Sequence, residues 1–196
     1  PADVQAELYR ANVIENYDTA VIRSHTESGV EILFYTAHPV PNNMGPIFDF
    51  EFEDAIVTYE TGEEITAHFH DGRTKTYGNP FLDDTNKLWQ SVDLVLKMNE
   101  APSSTKAGDK TVRRRSLTEA GISPACGIVA AISQTLCVNG AQESVSEIVT
   151  FPRSLVHKDC NEEDCLTWVT GLQEALEQCY EQNALPSEIG EWDWAR

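Results

Sequence analysis

The run Phe48-Asp49-Phe50-Glu51-Phe52-Glu53-Asp54-Ala55-Ile56-Val57-Thr58-Tyr59-Glu60, then Thr61-Gly62-Glu63-Glu64, then Ile65-Thr66-Ala67-His68-Phe69-His70-Asp71-Gly72-Arg73-Thr74-Lys75-Thr76-Tyr77-Gly78, decides the fold class. Strict alternation sets Phe48, Phe50 and Phe52 against Asp49, Glu51 and Glu53, the period of a half-buried strand. Ala55, Val57 and Tyr59 then alternate with Ile56 and Thr58, so both faces are fairly apolar. Thr61-Gly62 and Asp71-Gly72 are turn pairs in which glycine supplies the positive φ of a tight hairpin. The stretch reads as an antiparallel meander, and such a meander needs a cover for its apolar face.

Upstream, Val4–Ala11, Thr19–Thr26 and Val30–Thr36 carry the same period and are expected as three further strands. The loop containing Pro39, Pro41, Asn42, Asn43, Gly45 and Pro46 separates them from the meander. About six strands are expected before the period changes. Downstream, Leu82–Met98 has Leu88, Val92, Val95 and Leu96 at helical spacing, with Asp83 or Asp84 available as a cap. Pro124–Asn139 is apolar nearly all round and is expected as a buried helix. Val145–His157 reads as short extended pieces. Asp164–Asn183 is expected as a third helix with Leu166, Val169, Leu172, Leu176 and Cys179 or Tyr180 as its stripe. Trp192 and Trp194 in the tail are expected to dock. Strands first and helices afterwards predict one α+β domain over residues 1–196: a large, mostly antiparallel open sheet with helices on one face.

The charge is 14 minus 32, or −18. It opposes nonspecific binding to nucleic acid and anionic membranes, so neither is expected as a partner. No run approaches the roughly 20 apolar residues of a membrane span. The start Pro1-Ala2-Asp3-Val4 lacks the features of a signal peptide, and a chain that enters a strand so soon without Met reads as a processed or truncated piece. Five cysteines, Cys126, Cys137, Cys160, Cys165 and Cys179, are an odd number at irregular spacing. No disulfide framework is expected, and the compartment reads as reducing and cytoplasmic.

Candidate sites are few. His157, Cys160 and Cys165 have metal-ligand residue types, but a structural site needs four ligands and no second pair is near, so no metal is expected. Cys126 at a helix start and Cys137 read as small core residues. His38 at a strand end, the Asn42 and Asn43 loop, and Gln134 on the apolar helix are candidates for lining a polar pocket. Arg113-Arg114-Arg115-Ser116 reads as a solvated helix entry with Ser116 or Thr118 capping, and Glu162-Glu163-Asp164 as an acidic helix start. Ile56, Thr58, Thr66 and His68 lie on the sheet face that helices are not expected to cover. They are candidates for a homo-oligomer interface, with a homodimer expected. Such a face could bury well over roughly 1,000 Å².

Several stretches resemble one family. Asp3-Val4-Gln5-Ala6-Glu7-Leu8-Tyr9-Arg10-Ala11-Asn12, Asp18-Thr19-Ala20, Ser28-Gly29, Ile65-Thr66-Ala67-His68-Phe69 with Asp71-Gly72, Asn139-Gly140-Ala141-Gln142-Glu143-Ser144 and Leu166-Thr167-Trp168-Val169 resemble the C-terminal domain of Gfo/Idh/MocA oxidoreductases. The resemblance covers most of the chain. It implies a sugar or polyol substrate, NAD or NADP in the full-length protein, and an open sheet packed on a partner subunit. Family members carry an N-terminal Rossmann domain with G-x-G-x-x-G and a Glu-Lys-Pro segment with a catalytic lysine. Neither motif occurs here, so the resemblance implies a Rossmann half lying before Pro1. It implies no catalytic and no cofactor-binding residue in this chain. Substrate-side and oligomerisation domain is therefore the expected role, with a stand-alone binding or scaffold module as the alternative.

Overall fold

A computed structural model of the chain describes residues 1–82, 86–100, 127–161 and 164–195. In chain order the elements are β1 (Asp3–Arg10), β2 (Thr19–His25), β3 (Glu31–Ala37), β4 (Phe48–Glu51), β5 (Ala55–Tyr59), β6 (Thr66–Phe69), β7 (Thr74–Thr76), α1 (Asn86–Glu100), α2 (Ile128–Ser144), β8 (Val149–Thr150), β9 (Val156–Cys160), β10 (Cys165–Val169), α3 (Leu172–Gln182) and α4 (Pro186–Ile189). The class is α+β with open sheets. The strands expected in one sheet fall into two four-stranded sheets and a separate hairpin. Where length and composition suggest one domain, the chain divides into two compact units: Pro1–Asn43 with Ile128–Arg196, and Met44–Gly127.

The first unit is built on the sheet β3-β2-β1-β8. Val4, Ala6 and Leu8 share a face with Ala20, Ile22 and Ser24, because Leu8 lies opposite Ala20 and Ala6 opposite Ile22. Ala6, Leu8, Ala20 and Ile22 bury against Ala141 of α2. Gly140 lets the helix approach, since a Cβ there would stand 3.0 Å from Val4 Cγ2. The other face carries Tyr9, which packs with Phe151, Val169, Leu172, Ala175 and Trp194. The Tyr9 and Trp194 rings meet edge to face at 5.1 Å, so the tail docks as expected. Full burial of a side chain the size of Phe151, Val169 or Leu172 contributes roughly 1.5–3 kcal/mol. Helices thus cover both faces of β1 and β2, which corrects the expectation of one open face here. The short parallel strand β8 pairs with the end of β1, Tyr9 opposite Val149 and Arg10 opposite Thr150.

Two expected helices differ. The second, described over Ile128–Ser144, is not buried: Ile128 and Val129 are 82% and 83% exposed, and only Ala141 is fully covered; residues 124–126 of the expected helix lie outside the described residues. Its C-terminal part reaches the sheet, and its apolar N-terminal half does not. The third begins at Leu172. Cys165–Val169 instead forms the hairpin strand β10 against β9. Gly171 at φ 74° separates strand from helix, and the β-branched and aromatic run Thr167-Trp168-Val169 suits a strand. The hairpin register sets Cys165 opposite Cys160 with Cα atoms 4.0 Å apart, and the two are disulfide-bonded. This corrects the expectation of unpaired cysteines.

The second unit contains the meander β4-β5-β6-β7. The chain turns at Gly62 and Gly72, at φ 90° and 88°, as the turn pairs predict. It also reverses earlier than the alternation suggests. Phe52 N–H donates to the Ala55 carbonyl at 2.8 Å, closing a turn over Glu53 and Asp54 that separates β4 from β5. Tyr59, Ala55 and Ala67 are the buried positions of this sheet. Phe48 stacks on Phe50 at 4.5 Å and lies 5.4 Å from Tyr59. In α1 the expected core stripe is solvent-facing: Leu88, Val92, Val95 and Leu96 are all exposed. The Asp83 and Asp84 cap, Cys126, the Arg113–Ser116 run and Glu162-Glu163 lie outside the described residues.

Candidate functional site

The four polar-pocket candidates do not converge. His38 follows the end of β3; its backbone N–H donates to the Asp18 carbonyl at 2.9 Å, and its side chain is exposed. Asn42 Nδ2 donates to Gln173 Oε1 at 3.1 Å. Gln173 belongs to α3, on the Tyr9 face of the first sheet. Gln134 is exposed on α2, which packs on the opposite face. Asn42 and Gln134 therefore cannot line one pocket, and Asn43 is exposed in the loop after Asn42.

The four interface candidates do come together. Ile56 lies opposite His68 and Thr58 opposite Thr66 across β5 and β6. Thr58 Oγ1 stands 3.4 Å from His68 Nε2. Ile56 and His68 are exposed, and Thr58 and Thr66 are half-buried. With Glu60, Glu63 and Glu64, the residues Thr58, Thr66 and His68 line a shallow depression of about 250 Å³, and Ile56 lies beside it on the same strand face. The surface offers a hydroxyl pair, an imidazole, a flat apolar side chain and a rim of carboxylates. A catalytic hydroxyl–imidazole pair needs a third group to orient the base; His68 shows none among the described residues.

The alternation hid a polar network. Glu7 sits opposite the apolar set of β1, where a solvated carboxylate would be expected, yet it is 5% exposed. It accepts hydrogen bonds from the Tyr9 hydroxyl and from the Ser187 hydroxyl and backbone N–H. Beside it, Arg23 donates to Glu188 Oε2 at 2.8 Å and to the Asn183 carbonyl at 3.3 Å, placing a cation at the C-terminus of α3. The guanidinium holds the Glu188 carboxyl down at about 2. Tyr35 donates to the carbonyls of Cys179 and Ala184 at 3.0 and 3.2 Å, and burial pushes its hydroxyl up to about 12. Burial likewise raises the Cys179 thiol to about 11, so this cysteine is a packing residue. The sequence signal for the network was the helix-end pattern Leu185-Pro186-Ser187-Glu188, in which Glu188 Oε2 accepts the Leu185 N–H at 2.8 Å.

His157 stacks on Trp168 at 4.2 Å and its Nε2 lies 2.7 Å from Thr170 Oγ1. With Cys160 and Cys165 joined to each other, the three residues weighed as metal ligands are engaged elsewhere. No group of three His, Cys, Asp or Glu side chains among the described residues is placed to hold a metal ion. No described helix is long and apolar enough to cross a membrane. The fold is an α+β module of two sheet-based units. No family model, curated protein or solved structure matches the chain.

Proposed function

We propose that this chain is the substrate-side and oligomerisation domain of a Gfo/Idh/MocA-type oxidoreductase acting on a sugar or polyol. The observation that carries the assembly part is the exposed face of β5 and β6, where Ile56, Thr58, Thr66 and His68 stand in register. A second copy related by a two-fold axis would cover it with the same residues, which makes the contact a homodimer. The motif stretches from Asp3–Asn12 to Leu166–Val169 support the family part. Hydride transfer, with NAD or NADP, belongs to a Rossmann half outside this sequence, which contains no G-x-G-x-x-G. A cytoplasmic location belongs to the proposal, with Cys160 and Cys165 then reduced to thiols.

A stand-alone binding or scaffold module is the second reading. It is favoured by the absence, among the described residues, of a nucleophile–base–orienter set. The coding sequence immediately before Pro1 separates the two: a strand, a G-x-G-x-x-G turn and a Glu-Lys-Pro segment support the oxidoreductase, and a start codon close to Pro1 supports the module. Isolated chain is expected to show no saturable binding of NAD(H) or NADP(H) by calorimetry, because a pyrophosphate needs a glycine-rich helix N-terminus and the charge of −18 opposes a dinucleotide. Micromolar binding at one site would contradict this.

A further inference from the structure

We propose that the cleft at the carboxyl ends of β1 and β8 binds a small phosphorylated ligand through Arg10, Arg153 and Lys158. The chain has 14 lysines and arginines against 32 acids. Three of those cations nevertheless line one cleft of about 630 Å³, with no carboxylate among its lining residues. That volume falls in the range of small-molecule sites, roughly 300–1,000 Å³. In so acidic a molecule a carboxylate-free cluster of three cations is a local reversal of field, and a dianion is the complementary charge.

The cleft is built by the fold. Arg10 closes β1 and Thr150 closes β8, paired in parallel. Arg10 Nε donates to Thr150 Oγ1 at 3.2 Å, and its Nη1 to the carbonyls of Ile14 and Glu15 at 3.0 and 3.1 Å. The guanidinium is thereby fixed in orientation, and its Nη2 makes no bond among the described residues. Behind the loop, the buried Asp18 carboxylate takes the N–H groups of Ala11 and Asn12 and the Asn12 side-chain amide. Asp18 holds the loop in shape and is consumed in doing so. On the other wall, Lys158 and Val156 share a face of β9. Lys158 and Arg153 are exposed, and their side chains have no hydrogen-bond or ion-pair partner among the described residues. Guanidinium and ammonium groups of this kind suit a phosphoryl group, the arginines as forks and the lysine as a point charge. Val13, Ile14 and Val156 add an apolar wall for the organic part of a monoester. The site is independent of the oxidoreductase reading.

The test is titration of the full chain with inorganic phosphate and with glycerol 2-phosphate, followed by calorimetry and by backbone amide shifts. The expected result is saturable one-site binding that weakens with salt, with shifts concentrated at residues 10–14 and 150–158. Lys158→Ala and Arg153→Ala should each weaken it about tenfold while leaving the far-ultraviolet spectrum and unfolding midpoint unchanged, since neither side chain has a partner. Equal affinity for both probes would support a site for the phosphoryl group alone, and tighter binding of the ester a site for a phosphorylated metabolite. Absence of saturation with either probe, or affinity unchanged in both variants, would overturn the proposal.

Discussion

Asp18 is the residue whose loss should cost most for its size. It is 6% exposed, and its carboxylate satisfies two backbone N–H groups and one amide that have no other acceptor among the described residues. Replacing Asp18 by Ala should destabilise the chain by about 2–3 kcal/mol in urea unfolding, because the orphaned donors keep their desolvation cost. A loss under about 0.5 kcal/mol, the scale of an ordinary surface change, would show that water replaces the carboxylate. Glu188 tests the Arg23 bond through pH. Its carboxyl is lowered from 4.5 to about 2, so the contribution is present above the unfolded value and disappears as pH falls from about 4.5 to 2. Glu188 is 41% exposed, and solvent screening reduces the worth of the pair to about 1 kcal/mol. Glu188→Gln should be that much less stable than the parent at pH 7 and equal to it near pH 2, measured by unfolding at both.

At the scale of elements, local chemistry was legible and tertiary cover was not. The turns at Gly62 and Gly72 and the strands of the first hairpins followed from periodicity and positive-φ glycines. The reversal at Glu53 and Asp54 did not, because alternation continues across it and carries no break in period. Cys165–Val169 read as helix since Leu166, Val169 and Leu172 have helical spacing, yet Gly171 interrupts them and β9 offers a partner strand; pairing outweighs spacing over so short a run. Pro124–Asn139 reads as buried because it is apolar all round, but within the described helix α2 the C-terminal part bearing Gly140 and Ala141 meets β1 and β2 while Ile128 and Val129 are exposed. Of the site residues, the register of Ile56, Thr58, Thr66 and His68 was readable from one hairpin. The separation of Asn42 from Gln134 was not, because it depends on which face each helix takes. Gly140 gives the element-scale prediction. Alanine raises helix propensity by roughly 1 kcal/mol, but its Cβ would stand 3.0 and 3.1 Å from Val4 Cγ2 and Cβ. Overpacking of a β-branched neighbour costs roughly 1–3 kcal/mol, so Gly140→Ala should lower stability by about 1 kcal/mol in chemical denaturation, and an increase would mean that α2 slides freely on the sheet.

For the whole molecule, charge and apolar exposure oppose each other. The chain carries −18, yet Ile32, Phe34, Phe50, Ile56, Ile128 and Leu136 remain exposed, more than scattered surface residues require. Self-association relieves the second and worsens the first, so added salt should tighten it by screening the like charges. The proposed contact at β5 and β6 fits this balance, because Ile56, Thr58, Thr66 and His68 include no carboxylate while Glu60, Glu63 and Glu64 stand at the rim. Sedimentation velocity of the chain and of Thr58→Glu, across protein concentration at low and high salt, tests the proposed assembly most directly. A dimer is expected that strengthens with concentration and salt and that Thr58→Glu shifts towards monomer. A single monomeric species at high concentration and high salt, or a dimer indifferent to Thr58→Glu, would contradict it.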